Sequence, residues 1–255
     1  MSSIKNQVNK LLYYVSKDLL EYVKYKTAII SNLLLSVIMV KSFGDFSMAG
    51  GFGNDDYYLY ILPGIIAMGM MNNCIFSASY NVAMDSEKHL TDDVVISVSS
   101  YLNYMIAKYI GNFVKALIQF LVVVLLSVYF YNISINNLGL LLGFFTIGTV
   151  MFISIGMLLA AFTDILSLGG LANLIIVPFT YFSGIFFPVT TLDGVIKVIA
   201  KFLPITPFIE TLRYAISSEV MFGNLGSHVI YITLVTVILV LVTLIKYYKK
   251  LKRGY

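Results

Sequence analysis

Apolar and polar positions follow two patterns along this chain. Over residues 4–23, IKNQVNKLLYYVSKDLLEYV, apolar side chains recur at Ile4, Val8, Leu11, Leu12, Val15, Leu19 and Val23. That is helical spacing. Lysines fill much of the remainder, so the segment reads as an amphipathic helix lying in a membrane interface or packing on a partner. Further on, the apolar runs lose their periodicity and become long enough to cross a bilayer. They predict six spans at about Thr27–Val40, Tyr57–Ala83, Gly111–Tyr131, Leu138–Phe162, Ile165–Phe187 and Val229–Ile245. The first is short: its residues rise only about 21 Å as a helix, against about 30 Å of hydrocarbon. Snorkelling by Lys26 and Lys41, or a tilted entry, is expected to make up the difference.

Composition agrees with this pattern. Charged residues are 12% of the chain and hydrophobic residues 59%, where a soluble domain is about a quarter charged. Spans of this kind must satisfy every backbone group internally, so an all-α integral membrane protein is expected. The whole chain, 1–255, reads as one membrane domain. An interfacial helix covers 1–25, a six-span bundle 26–246 and a basic tail 247–255. No cleavable signal peptide is apparent. The single cysteine, Cys74, lies in an apolar run and suits a small buried hydrophobe better than a reactive thiol.

Charge sets the expected orientation. Lys5, Lys10, Lys17, Lys24 and Lys26 precede the spans, and Lys246, Lys249, Lys250, Lys252 and Arg253 follow them. Lys88, Lys108 and Lys115 fall between spans two and three. All lie on one side if there are six spans and both termini are cytoplasmic in a multi-pass plasma-membrane protein. The other side keeps Lys41, Lys197, Lys201 and Arg213 against Asp45, Asp55, Asp56, Asp193, Glu210 and Glu219.

On that outer side runs SGIFFPVTTLDGVIKVIAKFLPITPFIETLR, residues 183–213. After Pro188, Val195, Val198, Ile199 and Phe202 share one helix face, with Lys197 and Lys201 on another. Such a helix is too short and too charged to span. Beyond Pro204, Thr206 suits an N-cap with Pro207 at the first helical position. Glu210 and Arg213 then stand three apart and can pair. Two short extracellular helices are expected between spans five and six, dipping into or resting on the outer leaflet, or merely capping the outer face.

These residues carry a family resemblance. Ser183-Gly184-x-x-Phe187-Pro188, the amphipathic helix, and Pro204-x-Thr206-x-x-x-Glu210-x-x-Arg213 together resemble the membrane subunit of type-2 ABC (ATP-binding cassette) exporters. YLYILPGIIAM, residues 58–68, resembles that family's Pro-Gly-containing second helix, and Asp85, Glu87 and Lys88 ahead of LTDDVV resemble its charged loop. Family members often have proline at the position of Asp193, glycine near His89 and proline within ISVSSYL. Leu203-Pro204-Ile205-Thr206 stands where polysaccharide exporters tend to show Asn-Pro, which places the chain closer to the drug- and antibiotic-exporting branch. The resemblance implies two copies of this subunit, most simply a homodimer, with two copies of a separate cytoplasmic ATPase. ATP and Mg would be used by that ATPase and no cofactor bound by this chain.

The residues themselves fit a non-enzymatic role. No G-x-x-x-x-G-K-[ST] occurs, AGGFGNDD at 49–56 lacks the phosphate-site lysine, and His89 and His228 have no metal-ligand spacing. Nucleic acid is not an expected partner, and membrane lipid is. Energy from a partner must then enter through 85–100, DSEKHLTDDVVISVSS. There Thr91 is a plausible N-cap, Asp92 and Asp93 suit a first turn, and Val94 and Val95 offer apolar surface. The resemblance makes this a coupling helix; otherwise it is a solvated turn. Polar residues within the spans are the other clue, being costly in lipid. Lys108, Asn112, Lys115 and Gln119 form one stripe on span three. Asn32, Asn72, Asn73 and Asn173, with Tyr181 and Phe182, complete the candidates. They either line a translocation path for an amphipathic or lipid-like substrate or bind helix to helix. A passive channel or scaffold without an ATPase is the rival reading. A membrane-embedded enzyme would need catalytic groups converging at one depth, and the sequence offers none.

Overall fold

The computed structural model describes residues 2–50, 57–88 and 98–253. All regular structure among them is helical. In chain order the helices are α1 (Ser2–Lys24), α2 (Lys26–Met48), α3 (Tyr57–Glu87), α4 (Val98–Tyr131), α5 (Leu138–Phe162), α6 (Ile165–Phe182), α7 (Gly194–Phe202), α8 (Ile205–Ser217) and α9 (Leu225–Arg253), with one 3-10 turn at Val189–Thr191. Six of these, α2 to α6 and α9, are long and apolar enough to cross a membrane, as the sequence predicts.

The first span is not short. α2 continues through Lys41 to Met48, which lengthens it to about 34 Å at the helical rise. It can continue because its charges answer each other: Lys41 Nζ lies 2.9 Å from Asp45 Oδ1, one turn on. Asp45 also accepts from the Tyr131 hydroxyl at 2.8 Å, and Lys41 sits 4.8 Å over the Phe130 ring. Helices α3, α4 and α9 also outrun their predicted spans, α4 beginning at Val98 instead of Gly111. α6 stops earlier, at Phe182, where the chain turns through Gly184 at φ +82°. The basic residues Lys246 and Lys249 lie on α9, with Lys246 over the Phe162 ring at 4.0 Å.

α1 packs along α4 through Gln7, Tyr14, Asp18 and Tyr22, positions that share one helix face. Val8, Leu12, Leu20 and Val23 are exposed and point away from the bundle. The predicted amphipathic helix is therefore present, with Val8, Leu12 and Val23 of its apolar face outward and Leu11, Val15 and Leu19 half-buried.

α3 is the hub. It packs against α2, α4, α5, α6 and α8, and from Ile61 to Met68 every residue is buried. Close approach to α5 depends on Gly156. A Cβ there would stand 2.5 Å from the Ile75 carbonyl oxygen and 3.1 Å from the Ala78 Cβ. Pro63 sits inside α3 and removes the amide that would donate to the Leu59 carbonyl.

The segment between α6 and α9 differs from expectation in one half. α7 matches it: Val195, Val198, Ile199 and Phe202 are all exposed, Val195 by 74%, so its apolar face meets no protein. α8 instead is buried from Ile205 to Arg213 against α3, α5 and α9. It does not rest on a leaflet surface. Thr206 is correspondingly not an N-cap. The helix begins at Ile205 after Pro204, and the buried Thr206 hydroxyl donates to the Ala200 carbonyl at 2.6 Å, tying α8 to α7. Pro207 falls within the first turn, where no intrahelical acceptor is lost.

Gly156→Val would force α3 and α5 apart and should destabilise the fold by about 1–3 kcal/mol. Gly143→Val, where an added Cβ meets nothing within 4 Å, should change stability far less. Thermal unfolding of the two variants in detergent, followed by size-exclusion recovery, compares them directly.

Candidate functional site

The end of α3, the start of α4, the end of α5 and the end of α9 lie at one end of the bundle, with Lys88 at Glu21, Tyr101 at Leu244 and Lys246 over Phe162. Lys108 of α4 is buried at this end and lies between two acids. Its Nζ is 2.7 Å from Asp18 Oδ1 of α1 and 2.6 Å from Asp85 Oδ2 of α3. Asp85 Oδ1 also receives Lys17 Nζ at 2.5 Å, and Asp85 Oδ2 accepts from the Tyr104 hydroxyl at 3.1 Å. Asp18, Asp85 and Lys108 are each only 1% exposed. Two cations and two carboxylates thus form a neutral cluster that joins three helices in the low-dielectric interior. A lone charge there would be prohibitive. Gly111 makes room for it, since a Cβ there would meet Asp18 Cβ at 3.2 Å. Just outside the span, Lys88 bonds Glu21 at 3.1 Å, and this carboxylate raises the lysine's pKa above its ordinary value. Burial raises that of Tyr22.

This cluster immediately precedes the predicted energy-input loop. Asp85, Glu87 and Lys88 belong to the end of α3 and the turn after it: Asp85 is buried, and Glu87 and Lys88 are exposed. Thr91, Asp92, Asp93, Val94 and Val95 lie outside the described residues. The partners Lys17, Asp18 and Tyr104 are not foreseen from the sequence as a site. The available signal is arithmetic: two lysines within an apolar span require acids, and Asp18, Glu21 and Asp85 are the acids near that end.

The polar stripe of α4 continues away from the cluster and is buried throughout. Asn112 Oδ1 accepts from Ser77 Oγ at 2.7 Å and from Asn81 at 3.4 Å, and its own amide donates to the Lys108 carbonyl at 2.8 Å. Lys115 Nζ reaches Ser77 Oγ at 3.3 Å and lies 5.3 Å over the Tyr22 ring. Gln119 Oε1 accepts from Asn73 at 2.6 Å, and its amide donates to Ser36 Oγ at 2.9 Å. So Asn73, Asn112 and Gln119 join α2, α3 and α4 by side-chain bonds. Asn72 donates to the Met68 carbonyl of its own helix. Asn32 is half-buried on α2, and Phe182 is half-buried at the end of α6. Asn173 and Tyr181 are exposed on α6.

At the opposite end, the chain leaving α6 meets α3 and α8. Glu210 and Arg213 of α8 pair, as their spacing predicts, and both are buried. The second Glu210 oxygen, Oε2, accepts from the Met221 amide at 2.8 Å. Arg213 lies 4.4 Å over the Tyr60 ring and donates to the Tyr60 carbonyl at 3.3 Å, beside the Pro63 break. Of the other residues expected here, Lys197 donates to the Thr190 carbonyl at 3.2 Å, Lys201 stands 5.7 Å over the Phe222 ring, Pro188 opens the 3-10 turn and Pro204 precedes α8.

The ABC-2 family transporter profile matches residues 1–245. The chain belongs to the ABC-2 transporter family. No match was found among the curated proteins. As an ABC-2 chain it is a permease subunit, a membrane transport component with several spans. Its helix–helix polar bonds and its buried ion pairs then hold together a transport subunit.

Lys108→Met should leave Asp18 and Asp85 buried without their shared cation and cost about 3–5 kcal/mol. Adding Asp18→Leu removes one of the stranded carboxylates, leaves Lys17 to answer Asp85, and should restore part of the loss. The unfolding temperatures of the single and double variants measure both effects, and an unchanged single variant would remove the cluster from the core of the fold.

Proposed function

We propose that this ABC-2 chain is the permease subunit of an ATP-driven exporter, working as a homodimer with two copies of a separate cytoplasmic ATPase that uses ATP and Mg. Both termini are then cytoplasmic in the plasma membrane. The substrate class is amphipathic or lipid-like: a drug, antibiotic, peptide or glycan carrier. The observation that carries this reading is the placement of the Asp18–Lys108–Asp85 cluster. It fixes the end of α3 to α1 and α4 directly before residues 89–97, so a push on that loop reaches α3 without bending it. α3 has 31 residues and carries displacement about 46 Å to its other end, where Arg213 holds the Tyr60 carbonyl. ATP-driven closure of the partner then shifts the population between two arrangements of the same subunits.

The helix surfaces support a two-copy assembly. The exposed face of α9 is largely apolar, with Ile230, Leu234, Ile238, Leu241 and Ile245 beside an exposed Thr233, and suits lipid. The exposed face of α6 carries Ser167, Gly170, Asn173 and Tyr181 among its apolar residues. An amide in that position favours protein or water over hydrocarbon. α6 is thus the face we assign to the second copy and to the path between copies. Asn173 and Tyr181 remain the strongest path candidates, while Asn73, Asn112 and Gln119 are occupied within the subunit.

Two measurements test these assignments. Purification of the tagged chain from its native membrane should bring down a stoichiometric ATPase, and Asp92→Lys with Asp93→Lys should release it or uncouple its hydrolysis from transport. A pure homo-oligomer with nucleotide-independent flux would replace the exporter with a passive channel. For the interface, Cys74 is buried, so a cysteine introduced by Asn173→Cys in the Cys74→Ser background should cross-link two copies through a short bismaleimide. Ile238→Cys on α9 should not. The reverse result would move the interface to α9.

A further inference from the structure

At the end opposite the chain termini lies a cavity of about 750 Å³ between α2, α3, the turn after α6 and the end of α8. Five aromatic rings line it: Phe43, Tyr57, Tyr60, Phe186 and Phe187. They are held in place. The Tyr57 hydroxyl donates to the Phe186 carbonyl at 3.3 Å, and the Tyr60 hydroxyl donates to the Gly184 carbonyl at 3.1 Å. Phe43 and Phe186 stand 5.7 Å apart, and Tyr57 and Tyr60 stack at 6.2 Å.

The charges on the wall are unequal in what they can still bind. Arg213 is buried and lines the cavity, but its positive charge is answered by Glu210, and it already rests on the Tyr60 ring. What it retains is a donor: its Nε–H is buried with no acceptor among the described residues. Glu219 also lines the cavity, is exposed, and has no ion-pair partner among the described residues. Lys197 and Lys201 lie on α7, outside the lining. The wall therefore offers π faces and one uncompensated carboxylate. A cation over aromatic faces is attracted by their quadrupoles, and an apolar body suits the remaining lining. An anion would meet Glu219 with no free cation to oppose it.

We infer that this cavity is a binding site for an amphipathic cation, an ammonium- or phosphonium-type head on an apolar body, seated over the aromatic faces and beside Glu219. The proposal rests on the export reading for its role, as the site a substrate occupies on the far side of the membrane. Its binding chemistry rests on the cavity alone.

The test uses the full chain in nanodiscs without any ATPase, so a failed ATPase pull-down and a failed binding assay are separate results. The probe is labelled tetraphenylphosphonium, counted against empty discs, with tetraphenylborate as a competitor of similar size and opposite charge. Saturable binding displaced by the unlabelled cation and not by the borate is expected. Glu219→Gln, an exposed and conservative change, should weaken it about threefold, the scale of an exposed ion pair. Phe43→Leu with Phe187→Leu should weaken it about fivefold or more, as π contacts are lost. Unfolding temperatures confirm that the variants are folded. Binding no greater than to empty discs, equal displacement by the borate, or saturable binding that neither variant weakens would each overturn the proposal.

Discussion

A buried ammonium between two carboxylates is the interaction on which the rest of the subunit depends. Lys108 sits where α1, α3 and α4 meet, and no other group there could hold Asp18 and Asp85 together in an apolar bundle. Removing Lys108 leaves Asp18 buried without its cation, so the three helices are committed to one mutual arrangement. The cluster also explains why a polar-faced helix docks on a membrane span at all. α1 contributes Lys17 and Asp18 inward and leaves Val8, Leu12, Leu20 and Val23 exposed. Charge, more than apolar burial, attaches it.

The same device recurs at the opposite end of α3. There Arg213 is paired with Glu210 and lies over Tyr60, as Lys108 is paired with its two acids and lies 5.2 Å over Tyr104. Each end of the hub helix is thus held by a buried cation whose charge is cancelled locally and whose remaining surface is covered by a tyrosine ring. A helix bound in this way moves only with what it is bound to. α1, α3 and α4 form one body at the end bearing the termini, and α3 with α8 another contact at the far end. Between them the contacts are close-packed, with Gly156 letting α5 meet the α3 backbone.

Much of this was legible in the sequence, for reasons that differ by element. The spans were readable because hydrocarbon demands long apolar runs, and α5 matches its predicted limits at both ends. The limits of α2 were not, because a lysine looks like a terminus unless its partner one turn on is recognised. Asp45 was in view but was read as a loop residue. α7 was legible from its amphipathic spacing. α8 was legible as a short helix with a Glu210–Arg213 pair, but its burial was not, because that depends on the helices packed around it. The polar stripe of α4 was visible as a stripe. Its use was not, since whether an asparagine faces a path or a neighbouring helix depends on what stands opposite. Ser36, Ser77 and Asn81 carried no signal of their own.

The division between buried and exposed polar groups bears on where a substrate could move. Asn73, Asn112 and Gln119 spend their hydrogen bonds on other helices of the same chain, and opening a path through them would break α2, α3 and α4 apart. On the two-copy assembly proposed above, these bonds stay intact and the conduit lies outside them. Each subunit's exposed α6 face carries Asn173 among apolar residues, and its exposed α9 face is largely apolar. The economical solution is a conduit between subunits, with each subunit moving as a body. The neutral ion clusters suit this, because no charge has to be exposed to lipid or stripped of its partner when the bodies shift.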